Sequence, residues 1–213
     1  MHLKRHSASK MWPIARKGTK YLVVPSHEKN RGIPLLIALR DDLKLVSRRK
    51  ELEKILHEGK ITVNGKIARN DNLSLLLFDK VSIKDSNKNY SVNFSKNGKL
   101  VLDEVNEKDS HNKISKVINK KVLDGKKIQI NLIDGRNILS NDKITVGDSV
   151  IVNFKSKKIE SILPVKDKSK VLIINGKHKG SYGIIKKIDE RKIIVESEKN
   201  EFETKNKDLI VVG

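Results

Sequence analysis

Lysine and arginine are the residues whose number and placement point most directly to chemistry in this chain. There are 46 Lys and Arg residues against 26 Asp and Glu residues, a formal net charge of +20, and the first 50 residues carry half of that excess. A charge of this size needs an anionic partner, and the phosphates of nucleic acid favour clustered cations through counterion release. The candidate phosphate contacts are Lys4, Arg5, Lys10, Arg16, Lys17, Arg40, Lys44, Arg48, Arg49, Lys60, Lys66, Lys177 and Lys179.

Other kinds of chemistry find little support in the residue types. His2 and His6 have the i,i+4 spacing of two metal ligands on a helix, but no third ligand is near them. Asp41 and Asp42 are adjacent, so they do not converge on one point and are expected to pair with nearby cations. The chain has no cysteine, no GxxxxGK(S/T) phosphate loop and no G-x-S-x-G nucleophile turn. We therefore expect no enzyme activity, no metal, no cofactor and no small-molecule substrate.

The first group of cations must be positioned by an arm. Residues 1–32 are basic and are interrupted by Pro13, Gly18 and Pro25, which disfavours one long amphipathic helix. Apolar residues such as Met11 and Trp12 indicate that part of this arm docks on an apolar surface. No apolar run approaches the roughly 18–20 residues of a membrane span, so we expect no membrane partner.

The second group of cations must be positioned by two helices and a hairpin within residues 33–84. Pro34 suits the first turn of one helix, Ser47 is the expected N-cap of the next, and Gly59 is its expected end. Apolar positions with helical spacing are Leu36, Leu39 and Leu43 in the first helix, and Leu52, Ile55 and Leu56 in the second. Asn64-Gly65 between Lys60–Val63 and Lys66-Ile67 is typical of a tight β-hairpin, and Val81–Ile83 predicts a further strand.

The rest of the chain is predicted to be almost entirely β. Turns are indicated by Asn97-Gly98, Asp134-Gly135 and Gly147-Asp148, each next to alternating apolar residues. Residues 108–113 are predicted to be a polar linker. We expect a β-rich central domain over 85–165 and a small barrel over 166–213, with a glycine-spaced loop at 175–183. That glycine spacing suits either anion binding or an ordinary turn.

Aromatic residues make up only 4% of the chain, which disfavours a binder of single strands that stacks many bases. Structured RNA, contacted through phosphate and shape, fits the composition better. Charge alone would suit DNA equally well.

Three segments resemble known nucleic-acid-binding units. The helix pair with Gly59-Lys-Ile-Thr-Val-Asn-Gly65 resembles the small RNA-binding domain first named for bacterial small-subunit ribosomal protein four. The loop Gly176-Lys-His-Lys-Gly180-Ser-Tyr-Gly183 between apolar strands resembles the KOW motif of ribosomal and transcription-elongation proteins. His2-Leu-Lys-Arg5 with Lys10-Met-Trp12-Pro-Ile-Ala-Arg16 resembles the N-terminal signature of the archaeal/eukaryotic-type small-subunit ribosomal protein four family, and the order of segments agrees with that family along essentially the whole chain.

The resemblance implies an α+β protein with a basic N-terminal arm (1–32), a helix–hairpin RNA-binding domain (33–84), a β-rich central domain (85–165) and a small C-terminal KOW-type β-barrel (166–213). It implies a structural constituent of the small ribosomal subunit in the cytoplasm. Such a protein would bind small-subunit ribosomal RNA, contact neighbouring small-subunit ribosomal proteins, and act as a monomer in translation.

Two alternatives remain at this point. One is a free regulatory RNA-binding or transcription-elongation factor. The other is an RNA-modifying enzyme such as a pseudouridine synthase, but residues 85–213 lack the α/β frame that its catalytic domain needs. A ribosomal arm is expected to fold only against its RNA, so residues 1–32 should be mobile in the isolated protein.

Overall fold

The computed structural model describes residues 2–123, 127–140, 142–189, 192–197 and 200–213. The chain forms two compact units, Met1–His111 and Asn112–Gly213, called here unit 1 and unit 2. Strands dominate both units and helices are few, which agrees with a mixed, mostly β architecture. Within the described ranges, no helix is long and apolar enough to cross a membrane.

Unit 1 combines short helices with a five-stranded antiparallel sheet of order β5-β4-β7-β8-β9 and with the small pairs β1-β2 and β3-β6. A π-helical turn, Ala38–Asp42, continues the first helix, and 3-10 turns occur at Arg5–Ser7 and Lys108–His111. The other elements are β1 Leu3–Lys4, β2 Tyr21–Leu22, β3 Ile33–Pro34, α1 Leu35–Ile37, α2 Arg49–His57, β4 Ile61–Val63, β5 Lys66–Ile67, β6 Ser74–Leu75, β7 Lys80–Ile83, β8 Lys88–Phe94 and β9 Leu100–Val105.

The two predicted helices are present, with a difference at the start of each. Pro34 was predicted in the first turn of α1 but takes the N-cap position before it, with extended backbone. The N-cap position of α2 is Arg48 rather than the predicted Ser47. The carboxylate of Glu51 accepts hydrogen bonds from the backbone N–H groups of Ser47 and Arg48, at 2.8 and 3.1 Å. The carboxylate of Glu51, in the first turn, thus satisfies the backbone donors at and just before the N-cap position.

The Asn64-Gly65 hairpin is confirmed and leads into a sheet that is larger than expected. Both residues have positive φ, 51° and 75°, as the type I′ turn requires. Further along the chain, β7 pairs with β4 on one side and β8 on the other, and β8 pairs with β9. The predicted boundary between residues 84 and 85 therefore falls inside one sheet, and the compact unit ends at His111.

Unit 2 contains two five-stranded antiparallel sheets, of order β12-β11-β10-β13-β14 and β18-β17-β16-β15-β19. A 3-10 turn at Asn206–Asp208 precedes the last strand. Its strands are β10 Asn112–Val122, β11 Ile128–Leu132, β12 Asn137–Leu139, β13 Ser149–Asn153, β14 Ile159–Leu163, β15 Lys170–Ile173, β16 Tyr182–Ile188, β17 Ile193–Glu196, β18 Glu201–Thr204 and β19 Leu209–Val211.

The polar linker predicted for residues 108–113 is wrong. Residues Lys108–His111 form a 3-10 turn, and β10 begins at Asn112 as the central strand of its sheet. Two lysines of β10 are buried: the ammonium of Lys113 lies 3.0 Å from the carboxylate of Asp134, and that of Lys116 donates to the carbonyl of Leu209 at 2.7 Å and to the side-chain oxygen of Asn206 at 3.0 Å. These partners let polar residues face inward, which is why the strand escaped the hydrophobic pattern.

The barrel predicted for residues 166–213 is not confirmed, because the last sheet is open, with β18 and β19 at its two edges. Each sheet of unit 2 has its own small apolar cluster. The first cluster includes Ile130, Ile144 and Val150, and the second includes Val171 and Ile185.

Candidate nucleic-acid interface

The arm is held together at its base by Arg5. Strands β1 and β2 pair, and between them the guanidinium of Arg5 donates to the carbonyl of Ala15 at 2.8 Å and to the carbonyl and hydroxyl oxygens of Thr19 at 2.8 and 2.9 Å. Arg5 therefore has an internal role that the sequence did not indicate, because these acceptors are mostly backbone atoms. This role leaves fewer of its donors for phosphate.

The arm docks on the core of unit 1 through two adjacent residues. Trp12 is 2% exposed, its indole N–H donates to the carbonyl of Gly32 at 2.7 Å, and the carbonyl of Met11 accepts from the backbone N–H of Leu100 at 2.8 Å. The prediction that the arm docks on an apolar surface is confirmed. Met11 and Trp12 belong to the main core of unit 1, and the mobility of residues 1–32 in the isolated protein stays a prediction.

The remaining candidate cations of the arm point outward. Lys4, Lys10, Arg16 and Lys17 are exposed, and none of them forms an ion pair with any described residue. An exposed cation without an internal carboxylate keeps all its donors for an external anion. The arm is thus anchored by its buried apolar residues, and its exposed cations form a basic surface.

The helix–hairpin candidates divide into two groups. Lys44, Arg48 and Lys66 are exposed and form no ion pair within the described part of the chain. The other three are engaged by carboxylates: Arg40 with Asp41 at 2.9 Å, Arg49 with Asp71 at 2.8 Å and Glu53 at 3.1 Å, and Lys60 with Glu58 at 2.7 Å and Asp85 at 2.9 Å. The sequence predicted the same role for all six cations, but the fold gives carboxylate partners to only three of them.

Electrostatics reinforces that separation. Hydrogen bonds from Lys60 to Glu58 and Asp85 raise the pKa of the Lys60 ammonium, and the hydrogen bond to Asp41 raises the pKa of the Arg40 guanidinium. The predicted pairing of Asp41 with a cation is confirmed. Asp42 instead accepts the backbone N–H of Leu102 at 2.7 Å, and burial raises its pKa. Asp71 and Asp85 lie more than 20 residues from the cations they engage, so no local pattern reveals them, whereas the i,i+4 spacing of Arg49 and Glu53 is visible in the sequence.

The glycine-spaced loop of unit 2 is a turn that presents basic side chains. Gly176 and Gly180 both have positive φ, 89° and 84°, and the N–H of Gly180 donates to the carbonyl of Ile173 at 2.8 Å. Lys177 is exposed at the tip, and Lys179 is half-buried. The ring of His178 stacks on Phe202, with centroids 4.1 Å apart. Phe202 and its exposed neighbours Lys205 and Lys207 were missed because they follow the loop by about 20 residues.

The described residues contain no cluster of three or more side chains that could hold a metal ion. His2 and His6 do not share an α-helix, since Leu3–Lys4 is a strand and Arg5–Ser7 is a 3-10 turn. The i,i+4 spacing therefore does not place their rings on one helical face.

Comparison with known proteins identifies the family to which this chain belongs. The small ribosomal subunit protein eS4 of Methanocella arvoryzae is 36% identical over all of this chain and 94% of its own length. The chain belongs to the ribosomal protein family S4e. The same protein of Methanosphaera stadtmanae is 35% identical over all of this chain and 92% of its own length. The resemblance drawn from the N-terminal signature and the segment order is thereby confirmed.

Family models and a solved structure place the S4e features along the chain. The model of "Ribosomal family S4e" matches residues 86–159, and the KOW motif model matches residues 168–196. The crystal structure of the 30S ribosomal protein S4e from Thermoplasma acidophilum matches with a TM-score of 0.74 at 30% identity, over 87% of this chain and 96% of that one. The KOW match covers the loop with Lys177 and Lys179, so the resemblance of that loop to a KOW motif is confirmed.

Proposed function

We propose that this S4e protein is a structural constituent of the small ribosomal subunit that binds ribosomal RNA and takes part in translation. The observation that carries the proposal is the identity of 36% over the whole chain to a protein named small ribosomal subunit protein eS4. By this proposal the protein works as a monomer within the ribosome, in the cytoplasm, next to other small-subunit proteins. Its role is structural rather than catalytic, and it needs no cofactor.

The mechanism we propose is neutralisation of RNA phosphates by cations on a rigid base. The strongest candidates are the exposed cations that form no ion pair with a described residue: Lys4, Lys10, Arg16, Lys17, Lys44, Arg48, Lys66 and Lys177. Arg5, Arg40, Arg49 and Lys60 are expected to contribute less, since binding a phosphate would compete with their internal partners. Lys179 is half-buried, and we propose it as a contact of secondary importance.

Cosedimentation of the tagged protein from a cell lysate, before and after a high-salt wash, tests the proposed role. We expect stoichiometric presence in the small subunit that survives moderate salt, because a structural constituent starts from a high affinity, although each phosphate contact makes that affinity fall as salt rises. Presence in free RNA fractions, or on ribosomes only at low salt, would favour the free regulatory or transcription-elongation factor instead.

Arg48 and Arg49 offer a matched pair of variants for the mechanism, because they are adjacent and only Arg49 has carboxylate partners. Arg48→Gln should reduce the slope of log K against log salt by roughly 0.7–0.9, with little dependence on RNA sequence. Arg49→Gln should change the slope less. Binding of a small-subunit ribosomal RNA fragment across a salt series measures both slopes. If neither variant, nor the double variant, changes affinity or slope, this helix start is only a solvated surface.

A further inference from the structure

A cavity of about 440 Å³ lies between the glycine loop and the segment 202–208 in unit 2. Its lining includes Ile173, Gly176, Lys177, His178, Phe202 and Lys205. Its volume falls within the ~300–1,000 Å³ of pockets that hold small ligands. The KOW match ends at residue 196, so half of this lining lies outside the motif.

One part of the cavity lining is aromatic and apolar. The imidazole of His178 and the ring of Phe202 are nearly parallel, at an interplanar angle of 8° with centroids 4.1 Å apart. Ile173 is 1% exposed and adds apolar lining below the loop. Because these two rings already contact each other, a flat ligand ring would lie against the side of the pair that lines the cavity.

The other part of the lining is cationic. Lys177, Lys205 and Lys207 are exposed and form no ion pair with any residue that the structure describes. The two carboxylates of the lining are already engaged, since Glu203 pairs with Lys192 and Asp208 accepts from the side-chain amide of Asn175 at 3.1 Å. The cavity mouth therefore favours an anion.

We propose that this cavity holds one unpaired nucleotide of folded RNA, with its base beside the His178–Phe202 stack and its phosphate against Lys177, Lys205 and Lys207. The inference rests on the proposed function and adds the kind of RNA feature that unit 2 recognises. Unpaired bases of folded RNA bind in this way, by stacking on aromatic rings while cations hold the backbone. An acidic peptide would use the lysines but would leave the aromatic stack without a partner.

The test uses the full-length protein and two RNA hairpins that differ only by a single extruded nucleotide in the stem. The bulge carries 4-thiouridine, which allows a photo-crosslink to be mapped by mass spectrometry. We expect the bulged hairpin to bind about tenfold tighter than the fully paired one at the same salt concentration, as the stacking of one base allows. We expect its crosslink within residues 176–178 or 202–207.

Two variants separate the contribution of the aromatic ring to binding from that of the lysine charges. Phe202→Leu should abolish the preference for the bulge while leaving binding of the paired hairpin unchanged. Lys205→Gln with Lys207→Gln should weaken the bulged hairpin more than the paired one. The control is Lys155→Gln with Lys158→Gln, which removes the same charge from exposed residues of unit 2 outside the cavity and should weaken both hairpins equally.

Equal affinity for the two hairpins, or a crosslink mapped elsewhere, would overturn the inference while leaving the proposed ribosomal function standing. An effect of the Lys205 and Lys207 pair no larger on the bulged hairpin than that of the control pair would also overturn it, even if Phe202→Leu failed to fold. Failure to bind either hairpin, together with absence from the small subunit, would instead reject the proposed function. A crosslink from the cavity to a neighbouring protein in assembled subunits would identify a protein partner and reject the nucleotide.

Discussion

Units 1 and 2 differ in where some of their basic residues lie. In unit 1 the arm is anchored by apolar residues, with Trp12 in the core, while cations such as Lys10 and Arg16 stay at the surface. In unit 2 two lysines of one central strand are in the interior, Lys113 at 2% and Lys116 at 4% exposure. The comparison teaches that a lysine-rich segment is not always a surface for phosphate. A lysine that the fold places next to an internal acceptor has a structural role instead.

The interior lysines of unit 2 connect parts of the fold that apolar contacts alone do not connect. Lys113 pairs with Asp134 in the turn between β11 and β12. Lys116 reaches residues 206 and 209 of the C-terminal segment, and the hydroxyl of Ser149 accepts the backbone N–H of Val211 at 2.9 Å. The bonds of Lys116 and Ser149 link the two sheets within unit 2, whose separate apolar clusters are small, whereas the Lys113–Asp134 pair lies within the first sheet.

Removing the apolar anchor of unit 1 should have the largest effect. Trp12→Ala should destabilise unit 1 by about 3–5 kcal/mol through lost packing, and by roughly 1–3 kcal/mol more because the carbonyl of Gly32 loses its buried donor. Hydrogen exchange followed by mass spectrometry, read at α2 and β4, measures the loss for this unit alone. Tyr21→Ala, at a 50% exposed aromatic of the same arm, is the control and should change stability by less than about 1 kcal/mol. Equal effects would mean that the arm is not an integral part of the core.

Breaking the buried ion pair of unit 2 should have the next largest effect. Lys113→Met should cost about 3–5 kcal/mol, because it leaves the carboxylate of Asp134 buried with only Arg136 nearby. Lys113→Met combined with Asp134→Leu should recover much of that loss, since no unpaired charge remains. Hydrogen exchange across β10 and β11 gives both values. If the single and double variants lost the same stability, the cost of removing Lys113 would not come from leaving Asp134 unpaired.

Acid should weaken this same pair. Burial raises the pKa of Asp134, but the charge and hydrogen bond of Lys113, with help from Arg136, outweigh it and hold the pKa below its ordinary value. A depressed carboxyl pKa stabilises the fold above the pKa of the unfolded chain, and that stability is lost as pH falls through the folded value. Lys113→Met should therefore also flatten the acid side of the stability profile.

The smallest expected effect concerns Lys116, where stability again rises with pH, but on the alkaline side of neutrality. Burial lowers the pKa of Lys116 to about 8, although Asp208 and Asp148 oppose the shift. Between about pH 8 and the unfolded value near 10.4 the unfolded chain binds more protons, so this group makes stability rise with pH, by at most about 3 kcal/mol. Lys116→Met should lack the rise, whereas Lys155→Met, at an exposed lysine of the same unit, should keep it. Identical profiles for the two variants would contradict this account.

Local sequence chemistry predicted the parts of the fold that depend on neighbouring residues. Asn64-Gly65 predicted a turn because both residues tolerate positive φ, and the apolar spacing of Leu52 and Leu56 predicted the buried side of α2. It failed at β10, whose inward positions include Lys113 and Ser115. The burial of Lys113 depends on Asp134, which lies about 20 residues away and outside any local pattern.

The candidate interface was predicted as a set of cations but not as a ranking of them. Residue type identifies Arg48 and Arg49 as equals, whereas only the fold brings Asp71 to 2.8 Å from Arg49. Arg5 was selected for its charge, yet its donors serve the carbonyls of Ala15 and Thr19. The sequence did not single out Phe202 and Lys205, because only the fold brings them next to the glycine loop, with which they line one cavity.

Trp12 is the only tryptophan of the chain, and it belongs to the arm rather than to the body of unit 1. Its emission therefore comes from one buried indole hydrogen-bonded to one carbonyl. Release of the arm would expose that indole to water and shift the emission to longer wavelength, without any attached dye. The protein thus carries its own optical reporter of whether the arm remains docked when RNA is added.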